Sequence, residues 1–245
     1  MVPDPDIVSR VFTHRGTTYN CRWNRTNHAR LGKEMGDLAS LWGHLSSVLT
    51  GRVPENPFMG LPYRRASSLH LDLSSKTSKI RLRNRLMSSG MITSRVDDDL
   101  VRLTREFHRL RREDSYCADH SILEEFLMRD PNTIATEVPV WSDRHMLSGH
   151  IDLVRAVDGI IQVCDYKPGP LHEPGQRFLN SLPQVAAYGE MMAYHLSDTL
   201  RSADSGGLLP RVICTVFDSH SSWYFGAELF VTLCSMGVIR DFSLS

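Results

Sequence analysis

The dipeptide Asp158-Gly159 stands between two runs rich in β-branched and apolar residues, SGHIDLVRAV before it and IIQVCDY after it. An Asp-Gly pair in that setting signals a two-residue hairpin, because both turn positions need positive φ. Two adjacent antiparallel strands are therefore expected, Ser148 to Val157 and Gly159 to Tyr166. The turn also sets a register, and with it the placement of charge. It lets Asp165, near the end of the second strand, come close to Asp152 in the first, while Lys167, two residues past Asp165, shares its face.

The surrounding chain reads as an α/β core with a mixed sheet. Upstream, Cys117 to Arg129 forms a helix with Ile122, Leu123, Phe126 and Leu127 inward, ended by Pro131-Asn132, and Thr133 to Trp141 is a strand. Downstream, a loop at Pro168 to Gly175 leads into a long helix reaching about His195. Strands follow at Arg211 to Phe217 and near Trp223 to Phe230.

The first half has a different texture. Leu31, Met35, Leu38, Trp42, Leu45 and Leu49 recur at spacings of four and three, one apolar stripe on a helix from near Asn27 to Gly51. The proline-rich segment Val53 to Arg65 reads as a loop, and Asp97 to Arg112 as a charged helix. Between them, Ser67 to Leu86 alternates, with Ile80 and Leu82 opposing Lys79, Arg81, Arg83 and Arg85. Strands there put a row of cations on one face; a short amphipathic helix also fits the second part. The expected division is a basic, mainly helical portion at 1–115, followed by a core at 116–245.

Charge supports that division. Residues 1–113 carry 20 basic and 11 acidic side chains, a balance of +9, and the remainder carries 8 and 17, a balance of −9. A polyanion-binding surface beside an acidic, cation-binding site fits this asymmetry; mutual neutralisation of the two halves fits it as well. The 24 arginines against four lysines suit bidentate phosphate contacts, and genome composition can produce the same bias. No stretch reaches the length of a membrane span, and the start of the chain, MVPDPDIVSR, lacks an apolar signal core, so a soluble cytoplasmic protein is expected. The five cysteines, Cys21, Cys117, Cys164, Cys214 and Cys234, are scattered without a C-x-x-C pair and are expected as reduced thiols.

Two carboxylates converging in a core of Val, Ile and Leu repel each other unless a positive charge joins them. Mg²⁺ or Mn²⁺ suits such hard oxygen donors, and can activate water and neutralise charge on a phosphate. A lysine beside the pair can orient the attacking water or stabilise developing charge. Gln184 and Tyr188, four apart in QVAAY, share one face of the long helix.

The order G-H-I-D (Gly149 to Asp152), D-Y-K (Asp165 to Lys167) and Q-x-x-x-Y (Gln184 to Tyr188) resembles the PD-(D/E)XK nuclease superfamily, in its RecB-like branch, which includes the CRISPR-adaptation exonucleases. The resemblance spans about Asp119 to Phe230. It implies a restriction-endonuclease-like core and a deoxyribonuclease dependent on Mg²⁺ or Mn²⁺. Asp152 and Asp165 would bind the metal, together with the Tyr166 carbonyl, and Lys167 would assist the reaction. Gln184 and Tyr188 would line the site, with Glu137 a further candidate. For the upstream histidine ligand of many members, His120 is best placed; Glu124 and His108 are alternatives, and His108 could instead contact phosphate. His150 is read as facing away from Asp152 and as structural. The iron-sulfur cluster of some members is not expected, since Cys214 and Cys234 stand alone. A DNA partner is implied, bound in part by Lys79, Arg81, Arg83 and Arg85, with a homo-oligomer or larger nucleoprotein complex in view. A catalytically silent DNA-binding or assembly module, and a hydrolase of another phosphoester, are the competing readings.

Overall fold

The computed structural model describes residues 6–35, 38–73, 75–111, 121–169, 171, 177–202 and 210–239. The chain opens with a hairpin of β1 (Ile7–His14) and β2 (Thr17–Asn24), followed by α1 (Arg25–Met35), α2 (Ala39–Leu49) and α3 (Asn56–Met59). The short β3 (Arg64–Arg65), α4 (Lys76–Ser88), β4 (Ile92–Arg95) and α5 (Asp99–Arg111) come next. After them run α6 (Ile122–Arg129), β5 (Thr133–Ser142), β6 (Leu147–Val157), β7 (Ile160–Tyr166), α7 (Arg177–Ser202), β8 (Arg211–Phe217), β9 (Ser222–Gly226) and α8 (Leu229–Ser235).

The result is an α/β fold around one mixed sheet in the order β1-β2-β5-β6-β7-β8-β9-β4. Residues before 115, expected to be mainly helical, place β1 to β4 in this sheet as well as forming α1 to α5. Along the main order β7 and β8 pair in parallel, and α7 lies between them in sequence, as a parallel connection requires. The remaining neighbours in that order are antiparallel. The Asp158-Gly159 turn forms as expected, with φ of 51° and 76°, and Arg15-Gly16 makes the first hairpin with the same values.

Helices cover both faces of the sheet. On one, Leu100 and Phe107 of α5 and Phe126 of α6 pack on Leu153, Cys164, Tyr166 and Phe217. On the other, Leu179, Leu182, Val185 and Met192 of α7 join Leu41, Leu45 and Val48 of α2 against Ile161 and Val163. Strand alternation explains the split along β7, where residues 161 and 163 turn to α7 and residues 164 and 166 to the opposite helices. Arg155, 2% exposed, binds Asp130 and Asp99, each at 2.7 Å, and Gln162 at 3.0 Å.

Several local expectations change. The segment with Lys79, Arg81, Arg83 and Arg85 is helical, so those cations do not share a strand face. Ser75 caps α4 by accepting from the Ser78 N–H at 3.0 Å, and Leu82 and Leu86, one turn apart, are its buried side. The stripe between Asn27 and Gly51 is divided into α1 and α2, with buried Leu38 preceding the second helix. β9 ends at Gly226, and Leu229 and Phe230 belong to α8. The segment Val53 to Arg65, expected as loop, holds α3 and β3.

Candidate active site

β6 and β7 pair as far as Leu153↔Cys164 and then diverge. The next register positions are Asp152 and Asp165, so the hairpin sets the two carboxylates opposite one another at the mouth of a fork. Instead of a further ladder bond, the Tyr166 N–H donates to Asp152 Oδ2 at 3.0 Å. The Lys167 ammonium donates to Asp165 Oδ2 at 2.7 Å, and the Lys167 N–H ties the chain to the Phe217 carbonyl at 2.9 Å. From α7, Gln184 Nε2 donates to the Tyr188 hydroxyl at 2.9 Å and approaches Asp165 Oδ1 at 3.4 Å.

Gly149 explains how α7 comes so close. A Cβ there would lie 2.3 Å from Tyr188 Cε1, so the absence of a side chain admits the tyrosine ring onto β6. The glycine of the G-H-I-D run thus positions the aromatic of the Q-x-x-x-Y run.

Electrostatics at the fork follow from burial and like charge. Burial first, then the facing Asp165, push the Asp152 carboxyl well above the usual carboxylate range, against the pull of Lys167 and the Tyr166 N–H. Burial works against the Lys167 ammonium, but Asp165 and Asp152 outweigh it and hold its pKa above the usual lysine value. Burial, with Asp165 nearby, also pushes the Tyr188 phenol up, so it is a hydrogen-bonding hydroxyl at neutral pH.

Glu137 stands opposite Asp152 in the register of β5 on β6. Its φ is +50°, a left-handed backbone inside a strand. That conformation costs a non-glycine residue about 1 kcal/mol or more and is commonly kept where a site needs it. The turned carboxylate accepts from the Asn20 N–H of β2 through Oε2. Glu137 therefore forms part of the wall of two cavities. One, of about 190 Å³, holds Asp152, Asp165, Lys167, Gln184 and Tyr188; the other, of about 250 Å³, holds Arg22 and Glu124.

The first cavity has a second side that sequence reasoning missed. Its walls include His14, Arg15, Tyr19, Phe58, Arg65 and Ser67, from β1, β2 and the segment after α2, facing Ser148, Gly149 and His150 of β6. His14 Nδ1 and His150 Nε2 share a hydrogen bond of 2.8 Å; Tyr19 stacks on His150 with ring centres 3.5 Å apart, and Phe58 on His14 at 4.0 Å. Burial and neighbouring Arg65 push His14 down to about 4. Burial, then His14 and Arg65, push His150 down to about 3, so both imidazoles are neutral at pH 7. His150 is corrected here: two residues from Asp152 it shares that strand face, and it lines the same cavity.

The remaining predicted positions separate. His108 is buried on α5 against the Tyr166 hydroxyl at 3.2 Å, on the sheet face away from Asp165, and is enclosed rather than poised for phosphate. Glu124 pairs with Arg22 at 2.7 Å beside the second cavity. Lys79 of α4 reaches Asn180 of α7 at 3.2 Å, and Arg81, Arg83 and Arg85 follow on the same helix. His120 and Cys117 lie outside the described residues. Cys21, Cys164, Cys214 and Cys234 are buried thiols on four different elements, and burial pushes Cys21 and Cys164 up to about 12. Among the described residues no three His, Cys, Asp or Glu side chains gather as a metal-ligand set. A pair of facing carboxylates with room for water nevertheless suits Mg²⁺, which is commonly held by one or two carboxylates plus substrate oxygens.

Compared with protein-family models, curated proteins and solved structures, the chain finds no match. No helix among the described residues is long and apolar enough to cross a membrane.

Proposed function

We propose that this protein is a metal-dependent deoxyribonuclease with a restriction-endonuclease-like core, hydrolysing phosphodiester bonds at the fork of β6 and β7. The observation that carries the reading is the facing pair Asp152 and Asp165 with Lys167 bound to one of them at 2.7 Å. The order of the three motifs, resembling the RecB-like branch, agrees with it. Asp152 and Asp165 would hold Mg²⁺ or Mn²⁺, with the Tyr166 carbonyl as an added donor. The bound ion would supply positive charge to the phosphate and lower the pKa of water. The chain's own residues do the positioning. Lys167, kept protonated by the carboxylates, would present its ammonium to a phosphate oxygen. Gln184 and Tyr188 orient Asp165 from α7, and Glu137 braces the opposite wall. The basic side chains of the first half, including Lys79, Arg81, Arg83 and Arg85, supply salt-dependent contacts to the DNA backbone. The setting proposed is cytoplasmic DNA repair, recombination, replication or mobile-element processing, alone or within an oligomer or nucleoprotein complex.

The test is a single-turnover cleavage assay on linear and circular, single- and double-stranded DNA in Mg²⁺, Mn²⁺ or EDTA, beside Mn²⁺ calorimetry. Wild type should cleave only with the divalent ion. Lys167→Ala should keep Mn²⁺ affinity and lose about 10²- to 10³-fold in rate, while Asp165→Asn should lose both. No metal-dependent cleavage of any of these substrates overturns the proposal.

A further inference from the structure

The cavity at the fork is bipolar. Asp152, Asp165 and Lys167 occupy one end, and the other gathers Arg15, Arg65 and the His14–His150 pair. The cations at this second end have different duties. Arg15 is spent on the chain: it donates to the Phe58, Gly60 and Tyr63 carbonyls at 3.3, 3.4 and 2.8 Å, fixing the segment that carries Phe58. Arg65 is anchored more lightly, by one terminal nitrogen to the His14 and Arg15 carbonyls at 3.1 and 3.4 Å. No carboxylate ion pair is formed by Arg65 among the described residues. Its orientation follows from β3, which pairs in parallel on β6 at Leu147 and Ser148, along the edge that β7 does not reach. Alternation over those two residues sends Arg64 to solvent and Arg65 into the cavity.

Spacing connects the two ends. Arg65 stands opposite Ser148, four residues from Asp152, but its guanidinium reaches the carbonyl of His14, the partner of His150. His150 and Asp152 are two residues apart on one face of β6, about 7 Å along the strand. That is close to one nucleotide repeat of an extended sugar-phosphate backbone. A guanidinium held by a single nitrogen keeps its other N–H groups for a phosphate. Tyr19 and Phe58 back the His150 and His14 imidazoles by stacking, which keeps them in place.

We infer that the Arg65 end is a second phosphate site, taking the phosphate adjacent to the one attacked at Asp152 and Asp165, so that the substrate is a strand engaged through two consecutive phosphates. This rests on the nuclease reading for the identity of the first site. The phosphate concerned is either an internal diester or the monoester of a strand end, and Arg65 is the residue that recognises it.

The probes are thymidine oligonucleotides bound to the full chain in Ca²⁺ and in EDTA, followed by calorimetry. TpT carries one phosphate, TpTpT two diesters, and pTpT and TpTp a diester with a terminal monoester at either end. In Ca²⁺, at least one two-phosphate probe should bind wild type about tenfold or more tightly than TpT, the scale of a charge-assisted hydrogen bond. A gain with TpTpT identifies an internal diester, and a gain confined to pTpT or TpTp identifies a strand end and its polarity. Arg65→Gln should abolish the gain, and Arg65→Lys, which keeps the charge, should retain part of it; melting curves confirm that both fold. Equal affinity for one and two phosphates in wild type, or the full gain surviving in Arg65→Gln, overturns the inference. Failure of the nuclease reading looks different: Ca²⁺ would then leave TpT affinity unchanged while the gain from a second phosphate persisted.

Discussion

Replacing Gly149 by alanine isolates the contact on which the site's geometry depends. The added Cβ would sit 2.3 Å from Tyr188 Cε1 and 3.1 Å from Cζ and the hydroxyl oxygen. Carbon atoms rest at about 3.5–4.0 Å, so the ring must withdraw by more than an ångström. Tyr188 is 4% exposed and lies in the main core, which leaves little space for that movement. Overpacking of this kind costs about 1–3 kcal/mol, and losing the 2.9 Å bond from Gln184 adds about 0.5–1.5 kcal/mol. Alanine's better fit to a strand returns about 0.5–1 kcal/mol. The net is about 2 kcal/mol, or roughly 4–8 °C in Tm for a chain of this size. The assay is a double-mutant cycle by thermal and urea unfolding. Tyr188→Leu clears the ring, so in that background Gly149→Ala should gain about 0.5–1 kcal/mol, a coupling of about 3 kcal/mol. If alanine costs the same in both backgrounds, or nothing in wild type, the close approach of α7 to β6 does not have the role assigned to it.

Asp152→Asn should raise Tm at neutral pH. A carboxyl whose folded pKa lies above its unfolded value gives stability that is complete below the unfolded value and declines as pH rises through the folded one, so the variant's advantage should vanish near pH 3 and open toward pH 7. Equal melting curves at pH 7 would show that the facing carboxylates impose no strain. His44 and His195 stack at 4.6 Å between α2 and α7, and burial pushes them down to about 4 and about 2. Their stability contribution is therefore complete above about pH 6.5 and is lost as pH falls, by up to about 1.4 kcal/mol per pH unit for each imidazole. His195→Gln should flatten the urea midpoint between pH 6.5 and 4.5, and an unchanged slope would refute this origin. Arg155→Met leaves Asp130, 1% exposed, without its ion pair and should cost about 3–5 kcal/mol in urea unfolding; a loss below about 1 kcal/mol would contradict the role given to that pair.

The acidic end of the cavity could be read along the chain because all its parts are local. One turn dipeptide fixes the register of Asp152 and Asp165, Lys167 is two residues on, and Gln184 and Tyr188 are one helical turn apart. His150 was legible too, since a spacing of two from Asp152 implies the same face. The first hairpin gave a weaker signal: IVSRVFTH and TTYNCRWN are strand-like, but arginine rarely takes the positive φ that Arg15 adopts. In α4 the alternation of cations mimics a strand, and the pair Leu82 and Leu86 is the feature that selects a helix. Arg65, Phe58 and His14 lay beyond sequence reasoning because only tertiary pairing brings them to β6.

The same contrast implies an order of assembly. A two-residue turn closes β6 on β7 at little entropic cost, so the aspartates meet early, and Lys167 arrives with them as their neutralising partner. The opposite wall needs long closures: the His14–His150 bond spans 136 positions, and Asn20 reaches Glu137 across 117. Pairings at such separations form slowly. A partly folded chain would thus own its carboxylate pair before it owned the arginine-lined wall, and the enclosed cavity would be a late product of folding.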